Sequence, residues 1–301
     1  MQRRTFVKNS ALAGSVMATN YPLRFANEER TIACQQYPWH TYLERDGSTW
    51  KADLDKSMQH VAEAGFTAFE PLVDSRPYLQ KIFPLIQDKF TCHSIYVNSI
   101  LHDQAQVDQS SAEVIEICEL AADLGTKIVV TNPAPIRWGG PGDKSDDELK
   151  VQAQSLNQLG EKLRKMGMTL AYHNHDPEMR NAAREFHHMM RATDPENVKL
   201  CLDAHWIYRG AGDSHIALND IVDMYLDRIV ELHLRQSDGG VWSEVFSEGD
   251  IDYVGLHQIL TEKAMRPHLV LEQAVEEGSP ETMSGVDAHR IGLEYATTVF
   301  G

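Results

Sequence analysis

From residue 31 onward the chain alternates between short apolar runs and longer amphipathic stretches. Residues 31–36, 67–72, 91–97, 127–131, 169–173, 199–203, 229–234 and 268–272 are runs of five to seven mostly apolar residues, a length that suits strands rather than helices. Between them, stretches such as 54–64, 112–124 and 148–166 repeat apolar residues at helical spacing. Several helix-to-strand joints share one local grammar: Ala64-Gly65-Phe66, Leu124-Gly125-Thr126 and Met166-Gly167-Met168. Glycine there supplies the left-handed residue that ends a helix before the next strand. Strand and helix signals in strict alternation predict a parallel sheet with helices outside. Eight such units predict a closed (β/α)8 TIM barrel in a single catalytic domain, residues 26–301. An open doubly wound sheet is the competing architecture, but no glycine-rich phosphate turn follows the first strand. The long connections 132–145 and 235–252 are expected to cover the site.

The amino terminus is different in kind. Arg3-Arg4 precedes Phe6 and Lys8, and a short apolar run, 11–18, follows. This is the pattern of a bacterial twin-arginine export leader, placed here at residues 1–25. It predicts passage through the twin-arginine export machinery to the periplasm. The run is too short to span a bilayer, so no stable membrane anchor is expected from it. The chain carries a formal net charge of −16. Loss of the first 20 residues removes Arg3, Arg4 and Lys8 but no acid, which deepens the charge to −19. So acidic a surface argues against nucleic acid or anionic membrane as a partner. Four cysteines (Cys34, Cys92, Cys118 and Cys201) are far apart and form no CxxC pair, and they read as buried free thiols.

The chemistry gathers at the ends of strands. LAYHNHDPE (170–178), VKLCLDAHW (198–206), VELHLRQ (230–236) and HLVLEQ (268–273) each close an apolar run with metal-binding side chains. In a closed barrel the carboxyl ends of the strands form the active-site face, and only the last inward residue of each is free to bind. Because residues two apart share a face of a strand, this selects His173 or His175, then Asp203, His233 and Glu272. Such a set suits a divalent metal ion: Mn, Mg, Co or Zn. Weaker candidates surround it. Glu70 ends the second strand and is placed to meet a substrate hydroxyl or to orient His93. Arg235 shares a face with His233 and is a candidate partner for a substrate oxygen. Trp138 and Trp206 offer flat rings for a ligand to stack on, and His205 lies beside Trp206. His187 and His188, on a helix-like run, read as surface residues.

The motif Tyr172-His-Asn-His-Asp-Pro-Glu178, with Asp203, His233 and Glu272 following in order, resembles the sugar phosphate isomerase/epimerase family of xylose-isomerase-like barrels. The resemblance covers residues 31–300 and includes ketose 3-epimerases and inosose-processing enzymes. It implies a cation held by acidic residues on the fifth, sixth and eighth strands and by a histidine on the seventh. Asp203, His233 and Glu272 match the last three. On the fifth strand His173 stands where many relatives have a glutamate, which leaves Glu178, His175 and His173, in that order, as the fourth ligand. The implied metal set is therefore Glu178, Asp203, His233 and Glu272, with Glu272, Glu178 and His175 as catalytic groups. His173, Arg235, Glu70, His205 and Trp206 are then left to contact the substrate.

The implied reaction is isomerisation or epimerisation of a small keto sugar by removal of the proton next to its carbonyl. A lyase or hydratase acting on 3-keto sugars or 3-keto-glycosides by β-elimination is the enzymatic alternative. A non-catalytic periplasmic sugar-binding protein is the alternative of another class. An endonuclease on the same barrel would need a basic groove, which the net charge opposes.

Overall fold

A computed structural model describes residues 30–301; the candidate leader at 1–25 lies outside the described residues. The predicted strands all form. They are β1 (Ile32–Gln35), β2 (Phe69–Glu70), β3 (Leu72–Val73), β4 (Ser94–Val97), β5 (Ile128–Thr131), β6 (Thr169–His173), β7 (Val198–Asp203) and β8 (Ile229–Leu234). After β8 a small antiparallel hairpin, β9 (Ser237–Asp238) with β10 (Val241–Trp242), interrupts the long connection before β11 (His268–Leu271). The second predicted strand is split at Pro71, which has no N–H to give to a ladder. Its first half, β2, pairs with β1 and its second half, β3, pairs with β4. All other neighbours are parallel, in the order β2-β1-β11-β8-β7-β6-β5-β4-β3, so the two halves of one strand close the barrel.

Helices pack outside. Among them are α1 (Tyr37–Arg45), α2 (Leu54–Glu63), α3 (Arg76–Lys89), α4 (Val107–Ala121), α5 (Asp146–Lys165), α6 (Asp176–Ala192) and α7 (Ala204–Gly210). Helix α5 shows why the sequence folds this way locally. Ser145 and Glu148 form a capping box, three acids occupy its first turn, and Lys162, Arg164 and Lys165 lie in its last. Gly167 then takes φ +77 and turns the chain into β6. At Gly160 the helix touches the next unit so closely that a Cβ would stand 2.0 Å from the Asn197 carbonyl oxygen. No helix among the described residues is long and apolar enough to cross a membrane.

The strand pleat sorts side chains into two cores. Leu170, Tyr172, Leu200, Leu202, Leu232 and Leu234 point outward and join the large core beneath the helices. Tyr96, Ile128, Val130, Ala171 and Cys201 fill the barrel itself, and Ala33, Ala68 and Val270 pack as a separate small group. Two residues further along the same faces lie His173, Asp203, Glu70 and Glu272, so alternation alone aims them inward. The register agrees, with Asp203 opposite His233 on the neighbouring strand. All four cysteines are buried and unpaired.

Candidate active site

A cavity of about 740 Å³ opens at the carboxyl ends of the strands. Glu272, Arg235 and Tyr96 reach it from strand ends, while Tyr37, Trp138, His175, Trp206 and Trp242 wall it from the connections that follow. The stretch after β6 is shaped for this. A first turn at 176–180 is cut from the rest of α6 by three successive left-handed residues, Asn181, Ala182 and Ala183, with φ of 53, 59 and 54. The break leaves Asp176, Pro177 and Arg180 on the cavity wall. Asn174 ties the same stretch to β7 by donating to the Asp203 carbonyl (3.0 Å) and accepting from the Asp203 N–H (3.1 Å).

At the cavity floor four charged side chains are packed out of water. Glu272 meets His233 Nδ1 through Oε2 at 2.7 Å and Arg235 Nη2 through Oε1 at 3.1 Å. Burial opposes its charge, but Arg235 and His233 outweigh burial and hold the carboxyl below the usual range. Asp203 has one oxygen on the Trp206 N–H (3.0 Å), where it caps α7, while its Oδ2 is 3.9 Å from Arg235 Nε. Burial pushes Asp203 up to about 6 against the pull of Arg235. Burial lowers His173 well below the ordinary imidazole range and brings His175 down to about 3, so both are neutral at neutral pH.

His233 has a second set of neighbours beneath the floor. Its Nε2 is 3.1 Å from Glu70 and 3.3 Å from Glu231, and both acids are fully buried. Burial and the adjacent Glu70 push Glu231 up to about 8, which leaves it protonated at neutral pH. Burial disfavours a charge on His233, but Cys201, Glu70 and Glu272 around it outweigh burial and raise its pKa well above the usual value.

The structure brings some of the predicted residues together and separates others. Among the described residues, the ligand atoms of His173, Asp203 and Glu272 lie within 4.8 Å of one another. His173 Nε2 and Asp203 Oδ2 are buried without a hydrogen-bond partner, as expected of atoms with a ligand still to bind. One imidazole and two carboxylates fit a divalent cation. His233 groups instead with Glu70 and Glu231, or with His173 and Cys201, and reaches the mouth only through its contact with Glu272.

Three expectations need correction. Glu178 is not at the mouth: β6 ends at His173, and the turn that follows swings the Glu178 carboxylate back onto the His175 N–H at 2.6 Å. Of the three candidates for the fourth ligand, His173 is the one that lies with Asp203 and Glu272. Glu70 and His205 do not line the cavity; Glu70 lies under His233, and His205 is buried behind Trp206. Arg235, Trp206 and His175 do line it. His187 and His188 are half-buried on α6, and His187 Nδ1 is bonded to the Tyr225 hydroxyl.

The sequence reading passed over Glu231, Tyr96, Tyr37 and Trp242. Glu231 and Tyr96 had a signal, since each lies two residues from a polar neighbour on its strand's inward face (His233 and Ser94). Tyr37 and Trp242 come from a helix start and a hairpin, where no periodicity marks them.

A family model for the xylose isomerase-like TIM barrel matches residues 58–293. The inosose dehydratase of Clostridium perfringens is 25% identical over 247 residues, spanning 76% of this chain and 74% of its own. Among solved structures, the D-allulose 3-epimerase of Methylomonas sp. in complex with D-allulose superposes with a TM-score of 0.69 at 13% identity, over 90% of this chain and 98% of its own. The 3-keto-D-glucoside 4-epimerase of E. coli does so with a TM-score of 0.66 at 16% identity, over 89% and 99%. A barrel protein of the same fold from Mycobacterium smegmatis, in complex with magnesium, gives 0.68 at 16% identity, over 90% and 96%. At such identities the solved structures speak for the fold.

Proposed function

The chain belongs to the xylose isomerase-like TIM barrel family and is a sugar-modifying enzyme, and from that premise we propose that it removes the proton next to the carbonyl of a keto sugar and acts as an isomerase or epimerase. The observation that carries this reading is the floor of the cavity, where Glu272 is held ionised between Arg235 and His233. Among the described residues, Glu272 is the one buried carboxylate that lines the cavity, and it is the proton acceptor. Arg235 keeps Nε and Nη1 unpartnered and buried beside it, which places two donors where an oxygen gains charge as the proton leaves. His173, Asp203 and Glu272 would hold a divalent cation, which when bound polarises the sugar carbonyl. His175, neutral and with Nδ1 unpartnered, faces the cavity from the turn after β6 and is the group available to exchange a proton on another side of the sugar.

A second reading is β-elimination by a lyase or dehydratase. It is favoured by the position of Glu178, which leaves the cavity one buried carboxylate rather than a facing pair, and by the inosose dehydratase likeness. The non-catalytic binding protein finds no support. The test is incubation with a panel of keto sugars in deuterated water with divalent metal restored. Deuterium in an inverted or isomerised sugar supports the first reading, and loss of water or of an aglycone supports the second. No exchange into any keto sugar that binds would overturn both. On Arg3, Arg4, Phe6 and Lys8 we propose that the protein acts in the periplasm.

A further inference from the structure

We propose that the outer part of the cavity is a subsite for the second ring of an uncharged O-glycoside, stacked on Trp138. This deepens the reading above, since it takes the floor around Glu272 as the place where the first ring reacts.

The first observation is Trp138 itself. It lines the cavity yet is 54% exposed, a large ring left open to water. The loop that carries it is pinned rather than loose: Arg180 donates to the Gly140 carbonyl at 2.9 Å, and the buried Lys144 donates to the Pro133 carbonyl at 3.1 Å. The ring meets His175 edge-on, 5.1 Å between centroids at 89°, and His175 in turn meets His173 at 4.6 Å. Trp138 is thus two ring contacts outward from the metal set, beyond a sugar seated there. A flat apolar ring at that place suits the C–H face of a pyranose or another ring.

The second observation is size and hydrogen bonding. A cavity of about 740 Å³ lies in the upper part of the range for small-molecule sites and is roomy for a single hexose. Deeper in its wall the indole N–H groups of Trp206 and Trp242 are buried without partners. Unpaired buried donors are costly, so a ligand that brings acceptor oxygens to them gains affinity.

The third observation is charge. Each arginine that lines the cavity is already paired with acid: Arg180 with Asp176 at 3.2 Å, Arg209 with Glu276 at 3.0 Å and Arg235 with Glu272 at 3.1 Å. Among the described residues, the two arginines of the outer wall, Arg180 and Arg209, are each held by an acid, which favours an uncharged group over a phosphate there.

The test uses sugars that lack a keto group, and the sugar recovered after each titration is checked by chromatography, so that binding is read without turnover. Calorimetry with the full-length protein compares D-glucose, glucose 6-phosphate, maltose and cellobiose. The better disaccharide is expected to bind about tenfold more tightly than glucose, the worth of one good ring contact. Glucose 6-phosphate is expected to bind no more tightly than glucose. Trp138→Ala should bring the ratio of disaccharide to glucose affinity close to one, and Trp138→Phe should restore most of it. Equal affinities in the unaltered protein, no detectable disaccharide binding, preference for the phosphate, or a ratio unchanged in Trp138→Ala would each overturn the subsite. If the ratio behaves as stated but no keto sugar exchanges its proton, the reaction assigned to the floor fails and the subsite stands.

Discussion

His233 Nδ1 and Glu272 Oε2 stand 2.7 Å apart, and this contact joins the cavity to a layer of polar groups the substrate does not touch. On one edge His233 meets the carboxylate that faces the cavity; on the other its Nε2 meets Glu70 and Glu231. Buried on every side and bonded through Nδ1, the imidazole holds Glu272 in turn. Arg235 secures the other oxygen of Glu272 and stacks on Trp242, 4.4 Å from the ring centroid. The base is therefore oriented before any substrate arrives, which is the condition under which a positioned carboxylate is effective.

Glu272→Gln keeps the shape and one oxygen but cannot accept a proton. Turnover of whichever keto sugar proves reactive is expected to fall at least about a hundredfold, the usual contribution of a positioned base. Binding of that sugar should change far less. Rates near those of the unaltered enzyme would mean that the proton goes elsewhere.

The strands, the closure and the inward aim of Asp203, His233 and Glu272 were legible in the sequence because a strand sorts its side chains with period two. The same rule pointed to Glu231, two residues before His233. What could not be read was that His173, and not Glu178, lies with Asp203 and Glu272. That depends on where β6 stops and on His175 starting α6, which lets Glu178, three residues on, fold back onto the His175 N–H. Trp242 was hidden for a similar reason, because its hairpin sits inside a connection with no repeat to mark it.

Export rests on Arg3 and Arg4, which lie outside the described residues. Replacement of both by lysine keeps the charge but removes the paired guanidinium groups of the leader pattern. The variant is expected to accumulate in the cytoplasm, as read by fractionation. Unchanged appearance in the periplasm would count against the leader.

The metal set is tested by substitutions that spare the fold. Asp203 also caps α7, so Asp203→Asn is preferable to alanine, because asparagine caps equally well while losing the ligand charge. Asp203→Asn and His173→Ala are each expected to lower divalent metal content measured by elemental analysis. Glu178→Gln should leave it unchanged. Metal lost from Glu178→Gln but retained by His173→Ala would restore the opposite assignment on the fifth barrel strand.

Glu178 offers a separate test through pH. It is fully buried, and burial with the neighbouring Glu185 pushes its carboxyl up to about 7, with Lys144 pulling the other way. An unfolded glutamate titrates near about 4.3, so the folded chain holds this proton more tightly. The stability that protonated Glu178 contributes is fully present below about pH 4 and is lost as the pH rises through about 7. Glutamine cannot ionise and still accepts from the His175 N–H through its amide oxygen. Glu178→Gln should therefore melt at nearly the same temperature as the unaltered protein in acid, and at a higher one at neutral pH. The gap should widen until about pH 7 and then level off, at a difference on the order of 4 kcal/mol. Thermal melts across that range measure it. A gap that does not vary with pH would show that Glu178 carries its charge throughout and is balanced by a cation, which would return it to the candidates for the metal.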